Sequence, residues 1–166
     1  MNDNKLVPAI AAGFAAAVLT TIPGVKSAAC CLIIPLASVF AIFLYRKMNN
    51  NTEKIKPGIG LLFGLMTGTA AAIFATGFDV IITYLTKTNE LVENLPDASV
   101  AMQELNFGAM GEQMLELMKI MANDIRETGF SATYTIGIFF TNILTYIIFG
   151  MIGGLIGSLV LNRKSS

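Results

Sequence analysis

Two long apolar segments of this chain carry glycines at helical spacing, and this pattern most constrains what the chain can fold into. Residues four apart lie on the same face of a helix, so each set of glycines forms a smooth surface. Small residues let helices pack closely in a bilayer, where lipid provides no hydrophobic drive between them. The sets are Gly60, Gly64 and Gly68 in one segment, and Gly150, Gly153, Gly154 and Gly157 in the other. We expect these glycines to be helix-packing positions, either within one subunit or between subunits.

Four apolar segments are predicted to cross a membrane as helices: residues 6–22, 28–45, 58–86 and 131–161. A span needs roughly 20 residues, so the first two are at the short limit and the last two are long enough to tilt. Pro35 lies inside the second segment and is predicted to kink it. With 54% hydrophobic and 13% charged residues, the chain is too apolar for an ordinary soluble domain. The predicted fold is an all-α integral membrane protein with four transmembrane helices in a single domain of residues 1–166.

Residues 87–130 form a long acidic stretch that is rich in methionine. Apolar residues recur here at spacings of three and four, which predicts one face of a helix. They are Met114, Leu117, Met118, Met121 and Ile125. Gly108 and Gly111 are predicted to separate this helix from a shorter one, and Gly129 to end it. We expect one or two amphipathic helices across the outer mouth of the bundle or on the membrane surface, with the methionines packed against the bundle or lipid.

The charges of the connecting segments predict an orientation. Residues 46–57 carry four basic residues against one acidic residue, whereas residues 87–130 carry three basic against eight acidic. An excess of Lys and Arg near the ends of spans marks the cytoplasmic side. Both termini and residues 46–57 are therefore predicted to be cytoplasmic, and residues 87–130 to lie outside; Lys26 is the exception. A cleaved signal peptide, processed before Cys30, is the less favoured alternative for the first segment.

Two polar residues inside the spans are candidate functional residues. Asp79 is the carboxylate of the third segment, about 31 Å along a helix that begins near Gly58 and therefore close to the outer interface. It handles ions or protons in one interpretation and is a structural acid in the favoured one. Asn142 lies near the middle of the fourth segment, where it either lines a polar path or, as favoured, hydrogen-bonds across the bundle. The adjacent Cys30 and Cys31 are interpreted as small apolar residues, with an intermolecular disulfide or metal site as the alternative.

Several classes of function are disfavoured by residues that the chain lacks. Histidine is absent, which removes the commonest general base and the usual metal and haem ligand. A phosphate-binding loop and a nucleophile–base pair are also absent, so we expect neither an enzyme nor a bound cofactor or metal. The formal net charge of zero gives no reason to expect a nucleic-acid partner.

Several short motifs resemble the DUF4199-type family of small bacterial membrane proteins. Leu44-Tyr45-Arg46-Lys47 ends a span, and Lys56-Pro57-Gly58-Ile59-Gly60 opens the next one. The Met-rich acidic residues 111–121, which precede the last glycine-rich span, are the closest likeness. The resemblance implies a polytopic protein of a bacterial cytoplasmic (inner) membrane, with no established activity and no site residues to carry over.

The function predicted from these observations is that of a non-catalytic accessory, scaffold or assembly subunit. Such a protein would act through helix packing in the lipid bilayer, as a homo-oligomer or as part of a larger membrane complex. The alternative is a small ion or solute transporter or channel, formed as an oligomer and lined by Asp79 or Asn142. A third interpretation is a sensor whose outer acidic helices respond to cations.

Overall fold

The computed structural model describes residues 5–22, 29–50, 53–105 and 108–163, and this part of the chain is helical without any strand. This confirms the predicted all-α class. The six α-helices are α1 (Leu6–Thr20), α2 (Ile34–Met48), α3 (Pro57–Thr86), α4 (Glu90–Glu104), α5 (Gly108–Thr128) and α6 (Ala132–Arg163).

Within the described ranges, three helical segments are long and apolar enough to cross a membrane: Cys31–Met48, Pro57–Thr86 and Ala132–Asn162. They correspond to the second, third and fourth predicted spans, with ends that differ by a few residues. Helix α1, the remaining predicted span, is apolar but has only 15 residues. Pro23 and Gly24, which the sequence predicts to separate the first two apolar segments, lie outside the described residues.

Helix α2 is preceded by a π-helical turn, Ala29–Ile33, and Pro35 is the second residue of the α-helix that follows. Proline has no backbone N–H, which an α-helix does not need in its first turn. The sequence predicted a kink within one continuous helix. In the structure the helix type changes from π to α just before the proline, and the kink itself stays a prediction.

The chain forms two compact units, Met1–Phe78 with Phe139–Ser166, and Asp79–Ile138. In the first unit, helix α1 packs along α2, and the buried residues form two clusters. Alanine is frequent in both, which brings the helix backbones close together. One cluster contains Ala9, Ala12, Ala41, Ile42, Tyr45, Ile55 and Phe63, and the other Ala16, Ala17, Ile34, Ala71, Ala72, Ala75 and Tyr146.

In the second unit, helix α4 packs against helix α5. The fully buried residues of α5 are Gly111, Ala122 and Ile125. Of the five residues predicted to share one face of α5, Ile125 is buried and Met118 and Met121 are half-buried, whereas Met114 and Leu117 are 58% and 46% exposed. The buried face of α5 therefore shares Ile125 with the predicted face and also includes Gly111 and Ala122.

Candidate functional site

The glycines of α3 and α6 face each other inside the first unit. A Cβ on Gly64 would collide with the Gly150 carbonyl, and one on Gly68 would collide with the Tyr146 carbonyl. A Cβ on Gly60 would lie 2.5 Å from the Gly154 carbonyl oxygen and 2.9 Å from Ser158 Cβ. The two helices are therefore in backbone contact over several turns, which requires a residue without a side chain at these positions.

The remaining glycines of α6 face a different helix. A Cβ on Gly157 would lie 3.1 Å from Val39 Cα, and one on Gly153 would collide with the backbone of Pro35. Helix α6 thus uses Gly150 and Gly154 toward α3, and Gly153 and Gly157 toward α2. Pro35, in the first turn of α2, is held against α6 at one of these glycines.

Sequence reasoning missed a further close contact, which involves Gly13 of α1. A Cβ at Gly13 would lie 2.8 Å from both Ala70 Cβ and the Thr67 carbonyl oxygen of α3. The signal was present in the sequence, because small residues of α1 recur at helical spacing around Gly13. They are Ala9, Ala12, Ala16 and Ala17.

Asn142 of α6 connects this helix to α3 by a hydrogen bond. Its Nδ2 donates to Thr76 Oγ1 over 3.0 Å. Thr76 is buried, with 6% of its surface exposed, and Asn142 is half-buried. An amide side chain in apolar surroundings is stabilised by such a partner, since an unpaired polar group there is costly.

Asp79, in the second unit, accepts a hydrogen bond from the phenol of Tyr134, with 3.2 Å between the oxygens. Asp79 is half-buried. Nearby lies a shallow recess. Its lining residues are Val80, Thr83, Gly129, Phe130, Ser131, Tyr134 and Thr135. The recess has essentially no enclosed volume for a water-sized sphere, so it is not a pocket for an organic ligand.

The turn between α5 and α6 is built on Gly129. Its φ of +80° is a left-handed conformation, and its N–H donates to the Ile125 carbonyl over 2.8 Å, which ends α5 as predicted. A Cβ here would also lie 2.6 Å from the Tyr84 carbonyl oxygen of α3. Ser131 Oγ then donates to Asp124 Oδ2 over 3.1 Å, which holds the start of α6 against α5.

A second set of polar contacts, also missed by sequence reasoning, joins the ends of three helices in the first unit. The Ile55 N–H donates to Asn162 Oδ1, and Asn162 Nδ2 donates to the Ile55 carbonyl, both over 2.9 Å. Arg46 donates through Nη1 to the Leu161 carbonyl and through Nη2 to the Glu53 carbonyl, both over 2.8 Å. The segment before α3 is thereby tied to the end of α6 and to the end of α2.

The cysteines give no support for a metal site among the described residues. Cys31 is a free, exposed cysteine, and the side chain of Cys30 lies outside the described part of the chain. No group of three or more Cys, Asp or Glu side chains in the described ranges is arranged to hold a metal ion.

Comparison with known protein families gives a match over nearly the whole chain. Residues 8–163 match the profile of DUF4199, a family described as proteins of unknown function. Searches of curated proteins and of solved structures give no match. The motifs at the ends of α2 and α3 and in α5, on which the resemblance rested, all lie within the matched residues. The chain therefore belongs to the DUF4199 family of proteins of unknown function.

Proposed function

We propose that this chain is an integral membrane protein that crosses the bilayer four times. Apolar side chains line the outer surface of α6 at every fourth residue, each between 45% and 65% exposed. Exposing such a row to water is unfavourable by about 25 cal/mol per Å² of apolar surface, whereas lipid removes that cost. The row consists of Ile136, Phe140, Leu144, Ile148, Ile152, Ile156 and Val160.

The position of α1 against α3 supports α1 as the fourth span. Gly13 is the middle residue of α1, and it contacts Thr67 and Ala70, close to the middle of α3. The Phe14 ring packs edge-on against Phe74, with 5.2 Å between ring centroids. If α3 crosses the membrane, the centre of α1 therefore lies near the same depth, and its 15 residues reach most of the way across the hydrocarbon core.

The proposed orientation places both termini and residues 46–57 in the cytoplasm of a bacterial cell and residues 87–130 outside. The hydrogen bonds of Arg46 and Asn162 bring the ends of α2 and α6 to the start of α3. The basic residues of the 46–57 connection therefore lie at one end of three apolar helices. This agrees with an excess of basic residues on the cytoplasmic side.

The proposed role is that of a non-catalytic accessory or assembly subunit that acts through its helix surfaces. The observation that carries this proposal is that the two candidate polar residues of the spans each contact a side chain of the other long helix. Asn142 donates to Thr76, and Asp79 accepts from Tyr134. Contacts of this kind support a packing role better than a path for ions. The glycines are engaged between helices of the same chain, so self-association would use other surfaces, such as the apolar row of α6.

Membrane insertion and orientation are tested by cysteine accessibility in a chain whose Cys30 and Cys31 are replaced by alanine. Single cysteines at Lys54 and at Glu116, both exposed, are labelled with a membrane-impermeant maleimide in intact cells. We expect labelling at position 116 only, and labelling at 54 after the membrane is opened. Release of the chain from membranes by alkaline carbonate would contradict insertion.

The role itself is tested by reconstitution and by purification. In liposomes we expect no ion flux above that of protein-free vesicles, and we expect a defined set of membrane proteins to co-purify in mild detergent. Flux that Asp79→Asn abolishes, with the helical content unchanged, would overturn the accessory role in favour of the transporter alternative. Asn142→Leu serves as the second variant for the same measurement.

A further inference from the structure

We propose that the end of the first unit formed by residues 46–50, 53–56 and 161–162 is a binding surface for the headgroups of anionic phospholipids. This inference rests on the proposed membrane insertion and goes beyond it, because it names a ligand class and the residues that recognise it. Its basis is a basic segment that the tertiary structure holds in a defined position at the level of the headgroups.

The segment before α3 is fixed by its backbone. Ile55 is buried, with 4% of its surface exposed, in the cluster that contains Tyr45 and Phe63. Both backbone groups of Ile55 are bonded to the side-chain amide of Asn162. A buried residue with both its N–H and its carbonyl engaged cannot swing away, so its neighbours in sequence have fixed starting points on the surface.

Those neighbours are lysines. Lys54 and Lys56 flank Ile55, and both are exposed, as is Lys47 at the end of α2. The Lys56 carbonyl accepts from the Ile59 and Gly60 amides, which fixes Lys56 at the start of α3 as well. Three exposed lysine side chains thus extend from a segment with a fixed backbone. This segment contains a single acidic residue, Glu53.

Arg46 adds positive charge to the same segment. Its guanidinium bonds to two neutral carbonyl oxygens, those of Glu53 and Leu161, and its Nε is buried. Arg46 therefore positions the segment and adds to the field without reaching out to a ligand. Basic clusters next to the ends of spans attract anionic lipid, and this attraction declines within a Debye length of the surface.

The ends of three apolar segments determine the depth of this surface. Met48 ends one candidate span, Pro57 begins the next, and Asn162 ends the third. Phosphate groups of the lipids lie at this boundary in a bilayer. The positive charge of the surface, its rigid attachment and its depth together favour a phospholipid headgroup over a soluble anion.

The test uses detergent-solubilised, full-length protein and measures bound lipid by native mass spectrometry. The probes are phosphatidylglycerol, phosphatidylcholine with the same chains, and free glycerol phosphate. We expect phosphatidylglycerol to bind more tightly than phosphatidylcholine, and free glycerol phosphate to bind far more weakly. Equal binding of the two lipids would overturn the proposal, and so would binding of glycerol phosphate as tight as that of phosphatidylglycerol.

The decisive variant is Lys54→Gln with Lys56→Gln. We expect each substitution to weaken phosphatidylglycerol binding by about fivefold, with phosphatidylcholine binding unchanged. The control, Lys87→Gln with Lys119→Gln, removes the same charge. Lys87 follows the last residue of α3, about 45 Å along that helix from Lys56. Equal loss in both double variants would overturn the proposal.

A second measurement uses the unmodified chain, so it does not depend on any variant folding. Raising the salt concentration should weaken phosphatidylglycerol binding and leave phosphatidylcholine binding unchanged, because exposed charges are screened. Salt-independent phosphatidylglycerol binding would overturn the proposal. Cysteine labelling and carbonate extraction report membrane insertion separately, so failure of the lipid preference is distinguishable from failure of the proposed function.

Discussion

Gly64 of α3 lies directly on Gly150 of α6, so closely that a Cβ on either residue would collide with the backbone of the other. The contact joins two helices of 30 and 32 residues within one chain. It determines which faces of these helices are buried together, and it leaves the apolar row of α6 on the outside.

Alanine at position 64 is expected to destabilise the protein, whereas alanine at position 77 of the same helix is not. At Gly64 the added Cβ forces the two backbones apart, which should cost about 1–3 kcal/mol as overpacking does elsewhere. At Gly77 nothing lies within 4 Å of the added atom, and alanine favours the helix by up to about 1 kcal/mol. Thermal unfolding in detergent measures both. Equal effects of Gly64→Ala and Gly77→Ala would contradict the packing described.

The hydrogen bond between Asn142 and Thr76 is expected to stabilise the pairing of α3 and α6. A double-mutant cycle with Asn142→Leu and Thr76→Val isolates the interaction, which should contribute about 0.6 kcal/mol and at most about 2 kcal/mol. The measurement is unfolding in mixed detergent micelles. Strictly additive effects of the two substitutions would show that the side chains do not interact.

Removing the Asn162 amide is expected to loosen the segment before α3. In Asn162→Ala the N–H of Ile55 loses its acceptor, so hydrogen exchange of the peptide that contains residues 53–56 should accelerate about tenfold, as the loss of roughly one hydrogen bond predicts. The control is Asn123→Ala, at an exposed position of α5. Unchanged exchange in Asn162→Ala would argue against the two hydrogen bonds to Ile55.

Lys87→Gly is expected to stabilise the end of α3. Lys87 has a φ of +53°, and its N–H donates to the Thr83 carbonyl over 2.8 Å, a helix ending that favours glycine. Relief of the left-handed strain should contribute about 1 kcal/mol, reduced by the loss of the exposed hydrogen bond from Lys87 Nζ to the Glu127 carbonyl. The change in the melting temperature measures the net effect. A lower melting temperature would mean that the lost bond outweighs the strain.

Much of the local structure could be predicted from single residues. Pro57 is the first residue of α3, as a proline that opens a span should be, and Gly129 ends α5. The apolar face of α5 is buried within the protein only in part, since Ile125 is buried whereas Met114 and Leu117 are exposed. Helical spacing identifies the apolar face of a helix. Which part of that face is buried depends on where the neighbouring helix packs.

The candidate polar residues could also be identified from the sequence, but their partners could not. Asp79 and Asn142 stand out in the sequence because polar groups in apolar segments are costly without a partner. Their partners, Tyr134 and Thr76, do not stand out, since hydroxyl groups are common in membrane helices. The two hydrogen bonds between the Asn162 side chain and the Ile55 backbone were not predicted, because a single asparagine near the end of a helix forms no distinctive sequence pattern.

By itself the sequence determined the helical class, the approximate ends of the apolar helices and the separate character of residues 87–130. These follow from local hydrogen bonding and from the burial preferences of neighbouring residues along one chain. Only the tertiary structure decided that Gly60, Gly64 and Gly68 face α6 of the same chain, and that Gly153 and Gly157 face α2. The physical reason is that a small residue permits close approach to any smooth surface, so its actual partner depends on how the whole set of helices packs.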